Sequence, residues 1–207
     1  MMIFNEDDLS DFLAYCVSVP IVSRLQQRSQ TLCSPQHRAA AVLIGIAPHA
    51  KTGAWQILLT RRAETLRHHT GQIAFAGGKC DPNDPSPIAT ALRETFEETG
   101  ISPNVWRVSG CLPVCCTPSG YAITPVLAHC DRLPETQANA QEVAEIFWLP
   151  LDVAVDASRY TSRANLPALP HLHYDIWGAT ALMLHYLAEC WSAKSDSILD
   201  KRAGKIG

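Results

Sequence analysis

The chain has 207 residues, a length that suits one domain of ordinary size with a substantial hydrophobic core. Its 17 basic and 20 acidic residues give a net charge of -3, which argues against the strongly basic surface of a nucleic-acid-binding protein. No apolar stretch reaches the length of a membrane span, and the acidic residues near Met1 do not resemble a secretory signal. We therefore expect a cytoplasmic protein with neither nucleic-acid nor membrane partners.

The eight cysteines show neither an even framework nor the CxxC spacing of a zinc site. Free and mostly buried thiols are therefore expected, as in a reducing compartment.

The first 37 residues are predicted to form an N-terminal helical extension, with an apolar pattern over residues 5–30 that Pro20 interrupts. Residues 38–47 then form a compact apolar run, and residues 55–60 form a second one. Both runs predict buried strands, and the segment between them contains the Pro and Gly of a hairpin loop.

A basic segment, residues 60–71, follows the second strand and lies directly ahead of an acidic helix. Its basic residues are Arg61, Arg62, Arg67, His68 and His69. Arginine guanidinium groups match phosphate oxygens bidentately, so Arg62 and Arg67 are predicted to bind a phosphate-bearing substrate. The alternative is that these arginines solvate a loop or pair with Glu64, and the two histidines favour neither reading.

Residues 72–76 predict a short strand that ends at Gly77 and Gly78. Two adjacent glycines permit positive φ and a close approach of the backbone to a ligand, and an exposed carbonyl there can bind a metal ion. A loop rich in turn-forming residues follows.

A helix is predicted next, with Asp84 or Ser86 as its N-cap, Pro87 in its first turn and Gly100 at its end. Its core-facing stripe is predicted to contain Ile88, Ala91, Leu92, Thr95 and Phe96.

Three carboxylates, Glu94, Glu97 and Glu98, share another face of this helix because residues three and four apart lie on one side. Like charges at that spacing repel each other, and a divalent cation would convert the repulsion into attraction. The alternative is a solvated acidic surface. Arg93 and the two glycines lie in register with the carboxylates, which favours the metal site.

Residues 106–114 and 121–130 predict two further strands, and Pro125 suggests that the second is an edge strand or has a bulge. Residues 141–151 contain Glu142 and Glu145 next to an apolar run that ends at Pro150. Residues 152–170 look irregular, and residues 176–191 predict a buried helix. A polar C-terminal tail, residues 191–207, is expected to follow it.

The segment from Arg93 to Ile101, RETFEETGI, resembles the box that defines the Nudix hydrolase family. The upstream part differs from the usual box: Arg93 follows Gly78 by fifteen residues, one more than usual, and Asp84 stands in place of an early glutamate. Thr95 also replaces an aliphatic residue. A GGxxDxxD opening, matched by residues 77–84, is similar to the coenzyme A diphosphatase branch of that family.

The same branch has an upstream signature, T-x-R-(S/A)-x3-R-x3-G-x3-F-P-G-G, which this chain matches at the same spacings except for Ala76 in place of proline. The matching residues are Thr60, Arg62, Ala63, Arg67, Gly71, Phe75, Gly77 and Gly78. Similarity covers residues 38–190, which are predicted to form the Nudix domain. The resemblance implies an α+β fold, an α/β/α sandwich with a mixed β-sheet in which the box forms a loop, a helix and a loop.

The resemblance further implies hydrolysis of a diphosphate linkage with Mg²⁺ or Mn²⁺. Glu94, Glu97, Glu98 and the Gly78 carbonyl would hold the metal, and Arg93 would orient a carboxylate. The general base would be a glutamate of the box, Glu97, or a glutamate of a later loop. For the later loop Glu142 is the first choice, with Glu145 behind it.

The implied substrate is coenzyme A, a small molecule bound by Arg62, Arg67 and Gly77 and cleaved to 3′,5′-ADP and 4′-phosphopantetheine. Phe75, Tyr121 or Trp177 could stack on adenine, although a place in the core is favoured for each. One alternative is a Nudix pyrophosphatase for ADP-ribose or a dinucleotide, and another is a non-catalytic nucleotide sensor. A homodimer is compatible with each of these functions.

Overall fold

The computed structural model describes residues 6–18, 32–63 and 71–203, with side chains described through residue 196. The helices are α1 (Glu6–Ser18), α2 (Pro87–Thr99), α3 (Leu151–Ala154) and α4 (Gly178–Ala203). The strands are β1 (Arg38–Pro48), β2 (Trp55–Arg62), β3 (Ile73–Ala74), β4 (Gly77–Lys79), β5 (Arg107–Cys111), β6 (Cys115–Cys116), β7 (Tyr121–His129), β8 (Val143–Pro150), β9 (Thr161–Arg163), β10 (Leu166–His171) and β11 (Tyr174–Ile176).

Strands β1 and β7 form the centre of a mixed eight-stranded sheet. They run parallel along nine residue pairs, from Arg38 opposite Tyr121 to Ile46 opposite His129. The main path is β3-β2-β1-β7-β5, while β4 pairs with β1, β6 with β7 and β8 with β2. The parallel pair requires a long crossover, and that crossover contains α2.

Both faces of the sheet are buried, which explains why the central strands are almost continuously apolar. Leu43 and Val126 point to the side of α2, where Ala91 packs against them. Their neighbours Ile44 and Leu127 point to the opposite side, in the cluster that includes buried residues of α1 and α4. Helices on both faces of a mixed sheet confirm the α+β, α/β/α prediction.

The N-terminal helix is found over Glu6–Ser18, and residues 19–31 lie outside the described part of the chain. Leu9, Phe12 and Leu13 are fully buried in the α4-side core, so α1 packs as part of the domain. None of the helices in the described segments has the length and apolar character of a membrane span.

Of the two alternatives for β7, the edge strand is wrong, because the strand lies between β1 on one side and β5 with β6 on the other. Its pairing with β5 does contain a register irregularity, which falls between Val108 and Gly110 of β5. Pro125 is tolerated there because pairing on the second side is interrupted at that point. Strand β5 ends opposite Val126, and β6 pairs with Ile123 and Ala122. The missing proline N–H therefore falls in the gap between two short partners.

Three other boundaries differ from the prediction. Gly77 and Gly78 lie in the short strand β4, paired with β1. Residues 152–170 are not irregular throughout, since β9 and β10 form a three-stranded sheet with β11. The last helix begins at Gly178, after Ile176 has ended β11, and it continues to Ala203, so the expected polar tail starts as helix.

The expectation that all eight cysteines are free is wrong for Cys33 and Cys116, which form a disulfide with Cα atoms 5.3 Å apart. These residues are 83 positions apart in the chain. They meet because Cys33 precedes β1, Cys116 lies in β6, and both segments adjoin the start of the parallel β1 and β7 pair. The other six cysteines form no disulfide.

Candidate active site

Helix α2 begins and ends where its local sequence predicts. The Ser86 hydroxyl accepts a hydrogen bond from the Ala89 amide at 3.2 Å, and Pro87 occupies the first turn. Gly100 ends the helix at φ 71°, and its amide donates to the Phe96 carbonyl at 2.8 Å. Of the two predicted caps, Ser86 is therefore the one used.

The buried side of α2 is shifted from the predicted stripe. Ala91 and Thr95 are buried as expected, but the Phe96 side chain is 49% exposed. The buried side continues instead through Glu98 and Thr99. A carboxylate that the sequence places on an acidic face is consequently turned toward the sheet.

Asp84 holds Arg93 rather than capping the helix. Its two carboxylate oxygens accept hydrogen bonds from Arg93 Nε at 3.1 Å and Nη2 at 2.8 Å, and a further bond from the Thr90 hydroxyl at 2.9 Å. These bonds, with that from Arg93 the strongest, hold the pKa of Asp84 well below its usual range. The Asp84 position of the GGxxDxxD opening thus anchors the arginine of the box.

The same guanidinium reaches two carboxylates of the predicted metal site. Arg93 Nη1 donates to Glu94 Oε1 at 2.9 Å and to Glu97 Oε2 at 3.2 Å. The hydrogen bond to Asp84 is the main reason that the pKa of Arg93 is raised. Arg93 is therefore a permanent cation between Asp84 and the acidic helix face.

Glu98 is the most deeply buried of the three box glutamates, with 3% of the residue exposed. Its Oε2 atom is buried and has no hydrogen-bond partner among the described residues. Burial raises the pKa of Glu98 to about 8, against the opposing effects of the Arg62 charge and a backbone hydrogen bond from Gly77. A buried, unsatisfied carboxylate oxygen needs a partner, and a cation is one that suits it.

Gly78 lies directly against Glu94. A Cβ at Gly78 would be 2.4 Å from the Glu94 carboxyl carbon, so no other residue fits there without moving the carboxylate. Burial raises the pKa of Glu94, and the hydrogen bond from Arg93 opposes that rise. Gly77 has φ 155°, and its Cβ would be 2.3 Å from the Ala41 carbonyl oxygen. A side chain at Gly77 would therefore meet backbone, and one at Gly78 would displace the Glu94 carboxylate.

The three glutamates do not yet surround one point in space. Within residues 6–18, 32–63 and 71–196, no group of three or more His, Cys, Asp or Glu side chains converges as a metal site would. Arg93 holds Glu94 and Glu97, while Glu98 lies beneath them near Gly77. The donor set itself is all oxygen, which fits a hard cation such as Mg²⁺ or Mn²⁺. The assignment of these residues as metal ligands stays a prediction.

Two later glutamates occupy different surroundings. The carbonyl of Glu142 accepts from the Ala63 amide at 2.9 Å, and the charge of Glu142 raises the pKa of both Glu94 and Glu98. Glu145 instead accepts from the Tyr174 hydroxyl at 2.6 Å and from Arg61 Nε at 3.1 Å. The exposed Glu142 therefore adjoins the box carboxylates, whereas Glu145 belongs to another cluster.

Only some of the predicted substrate residues lie near the box carboxylates. Arg62 and Gly77 lie at Glu98, whereas Arg67, His68 and His69 fall outside the described residues. Among the aromatic candidates, Phe75 is a core residue, and the Tyr121 ring lies 4.4 Å from the Arg38 guanidinium. Trp177 is partly exposed and lines a cavity.

A model of the NUDIX domain matches residues 35–171, which is more than half of the chain. This chain belongs to the Nudix family. A curated Nudix relative from Yersinia pestis (strain Pestoides F), named "Uncharacterized Nudix hydrolase NudL", is 41% identical over 164 residues. That alignment covers 75% of this chain and 81% of the relative.

Two solved structures share the Nudix fold. The MutT protein from Methanosarcina mazei Go1 has a TM-score of 0.51 at 19% identity, covering 78% of this chain and 99% of that one. A Nudix hydrolase from Alicyclobacillus acidocaldarius has a TM-score of 0.50 at 21% identity, covering 76% and 94%. Family membership makes this chain a Nudix hydrolase, an enzyme that cleaves pyrophosphate linkages, and Nudix hydrolases generally use divalent cations.

Proposed function

We propose that this enzyme hydrolyses the diphosphate bond of coenzyme A and its derivatives, yielding 3′,5′-ADP and 4′-phosphopantetheine. The observation that carries the proposal is the meeting of two motifs at one carboxylate. Arg62 and Gly77 belong to the coenzyme A branch signature. The charge of Arg62 and a backbone hydrogen bond from Gly77 both lower the pKa of Glu98 in the Nudix box. These contacts support a site in which the branch signature forms one wall.

Other signature residues hold that wall in place. The Thr60 hydroxyl donates to the Ala74 carbonyl at 3.3 Å, which ties β2 to β3. The Arg62 amide donates to the Gln72 carbonyl at 3.0 Å. Ala76, which replaces the usual proline, still offers its carbonyl to the Leu43 amide at 2.9 Å, a bond that proline would also accept. The substitution therefore leaves this part of the signature intact.

We assign Glu94, Glu97, Glu98 and the Gly78 carbonyl as the residues that would hold Mg²⁺ or Mn²⁺. The unpartnered Glu98 oxygen and the Glu94 carboxylate packed on Gly78 support this assignment. A bound divalent cation supplies positive charge to the diphosphate oxygens and to the departing phosphate.

The remaining steps belong to side chains of this protein. Arg62 and Arg67 would bind phosphate oxygens through their guanidinium groups, and Gly77 would let the backbone approach the substrate. Arg93 would keep Glu94 and Glu97 ionised and aimed. Glu142 would remove the proton from the attacking water, because it is exposed beside Glu94 and Glu98, and Glu97 of the box is the alternative base.

The test is a substrate panel ranked by kcat/KM at millimolar Mg²⁺, with coenzyme A, ADP-ribose and a dinucleoside polyphosphate. Coenzyme A should rank first, and its products should be 3′,5′-ADP and 4′-phosphopantetheine. Rapid cleavage of ADP-ribose with poor cleavage of coenzyme A would replace the substrate assignment. Binding of these ligands without turnover would instead support a nucleotide sensor.

A matched pair of variants separates the metal role from the fold. Glu98→Gln keeps the shape of the side chain but removes the charge, so it should lose most activity while remaining folded. Glu189→Gln on α4 is the control, because that residue lies outside the box. Full turnover by Glu98→Gln at controlled Mg²⁺ concentration would contradict the metal assignment.

A further inference from the structure

A cavity of about 500 Å³ lies at the end of β2, next to the candidate active site. Arg61 lines this cavity, while Arg62, the next residue, acts on Glu98. The pairing of β2 with β8 shifts register between these two residues, so the strand is irregular at this point. The cavity and the carboxylate site therefore adjoin the same strand end.

Contacts within the protein position the walls of the cavity. Glu145 accepts hydrogen bonds from both Arg61 and Tyr174, which fixes these two lining side chains. The ring of Phe147 stacks on Tyr174, with centroids 3.9 Å apart and planes 7° apart. A preformed wall lowers the entropy that a ligand loses on binding.

Trp177 supplies a large aromatic surface at this cavity. Trp177 lines the cavity and is 38% exposed, whereas the sequence favoured a place in the core for it. The Arg163 guanidinium lies 4.7 Å from the centre of its ring and also pairs with Asp175, another lining residue. The indole is thus held in position while part of it remains open to solvent.

We propose that this cavity binds the purine nucleoside end of the diphosphate substrate, with Trp177 as the stacking surface. The inference rests on the proposed function in that it takes the diphosphate to lie at Glu98. A cavity of this volume suits a nucleoside, since small-molecule sites typically measure about 300 to 1,000 Å³. Gln72 and Asp175 add an amide and a carboxylate that can hydrogen-bond to a base or a ribose.

The chemistry of the walls favours a nucleoside over the other end of coenzyme A. A purine is flat and aromatic, so it gains stacking energy against an indole ring. The pantetheine arm is a flexible chain that has no ring to stack. A pocket with a tryptophan surface beside fixed polar groups therefore matches the nucleoside end.

The experiment measures binding of AMP by isothermal titration calorimetry to the full-length protein and to Trp177 variants in EDTA. Trp177→Leu should raise the Kd for AMP about tenfold, the size expected for loss of one stacked base. Trp177→Phe should stay within about threefold of wild type because it keeps an aromatic ring. Leucine retains apolar volume, and circular dichroism melting confirms that each variant is folded.

Two controls make the result specific. Leu172→Ala alters a neighbouring exposed side chain that does not line the cavity, and it should leave the Kd for AMP unchanged. Binding of 4′-phosphopantetheine should be the same in wild type and in Trp177→Leu. An effect on 4′-phosphopantetheine alone, or no effect on either ligand, would overturn the proposal.

Product inhibition connects the cavity to the reaction. AMP should inhibit hydrolysis competitively, whereas non-competitive inhibition would identify a separate nucleotide site and contradict the proposal. The two proposals can fail separately. Trp177-dependent AMP binding in an enzyme that prefers ADP-ribose would keep the pocket and replace the substrate, while coenzyme A cleavage with Trp177-independent AMP binding would do the reverse.

Discussion

The burial of Glu98 predicts a specific pH dependence of stability in the metal-free protein. The pKa of Glu98 is raised from 4.5 to about 8, mainly by burial. The folded protein therefore retains a proton that the unfolded chain has already released. The contribution of this proton to the unfolding free energy is complete below pH 4.5 and is lost as the pH rises toward 8.

A difference of one in pKa corresponds to about 1.4 kcal/mol, so the metal-free protein should lose about 3 to 4 kcal/mol of unfolding free energy between pH 5 and pH 8 through this residue. Glu98→Gln carries no titrating proton and should not show that loss. Because other groups also titrate, the measured quantity is the difference between wild type and variant.

The assay is urea denaturation in EDTA at pH 5, 6, 7 and 8, followed by the same series with Mg²⁺. In EDTA the variant should become progressively more stable than wild type as the pH rises. Added Mg²⁺ should stabilise wild type at pH 8 by about 2.7 kcal/mol at a concentration one hundred times its Kd, and the variant much less.

Glu97→Gln is the matched control, because the Glu97 side chain is 52% exposed and pairs with Arg93 at the surface. This variant should keep the wild-type dependence on pH. If the stabilities of wild type and Glu98→Gln run parallel from pH 5 to pH 8 in EDTA, Glu98 does not hold a buried proton, and the burial argument is wrong.

Two further predictions concern the support of the carboxylates. Gly78→Ala places a methyl group 2.4 Å from the Glu94 carboxyl carbon and should raise the Mg²⁺ concentration for half-maximal activity about tenfold or more; unchanged metal dependence would contradict the packing argument. Asp84→Asn weakens two charge-assisted hydrogen bonds to Arg93 and should lower kcat/KM about tenfold, whereas Asp81→Asn, whose side chain bonds Asn83 and not Arg93, should not. Equal effects of both Asn variants would indicate general loop damage.

Helix α2 could be predicted from the sequence because its signals are local. A cap, a first-turn proline and a terminal glycine each act within a few residues, and all three are used as expected at Ser86, Pro87 and Gly100. The apolar runs of β1 and β2 were equally clear. The family followed from a resemblance, since the box and the branch signature are short linear patterns that can be matched residue by residue.

Burial within the site could not be read in the same way. The pattern of α2 placed Phe96 in the core and Glu98 on an acidic face, yet Phe96 is exposed and Glu98 is buried. Apolar and polar residues are mixed on both sides of this helix, so the pattern does not define one buried side. The angle at which the helix packs on β1 and β4 decides which side chains face the sheet. That angle is a property of tertiary packing.

Short strands and distant pairs were also missed. The β9 to β11 sheet contains prolines and small residues, and it is ordered by pairing and by packing against α4. Cys33 and Cys116 meet through the parallel register of β1 and β7 across 83 residues.

The sequence by itself indicated the family, the central helix and the residue types of the proposed metal and phosphate site, because periodicity, caps and motifs act over short distances. Tertiary structure decided which carboxylate is buried, that Asp84 anchors Arg93, and that Trp177 lines a cavity at the end of β2. Those properties depend on strand register and helix packing, which bring together residues that are far apart in the chain.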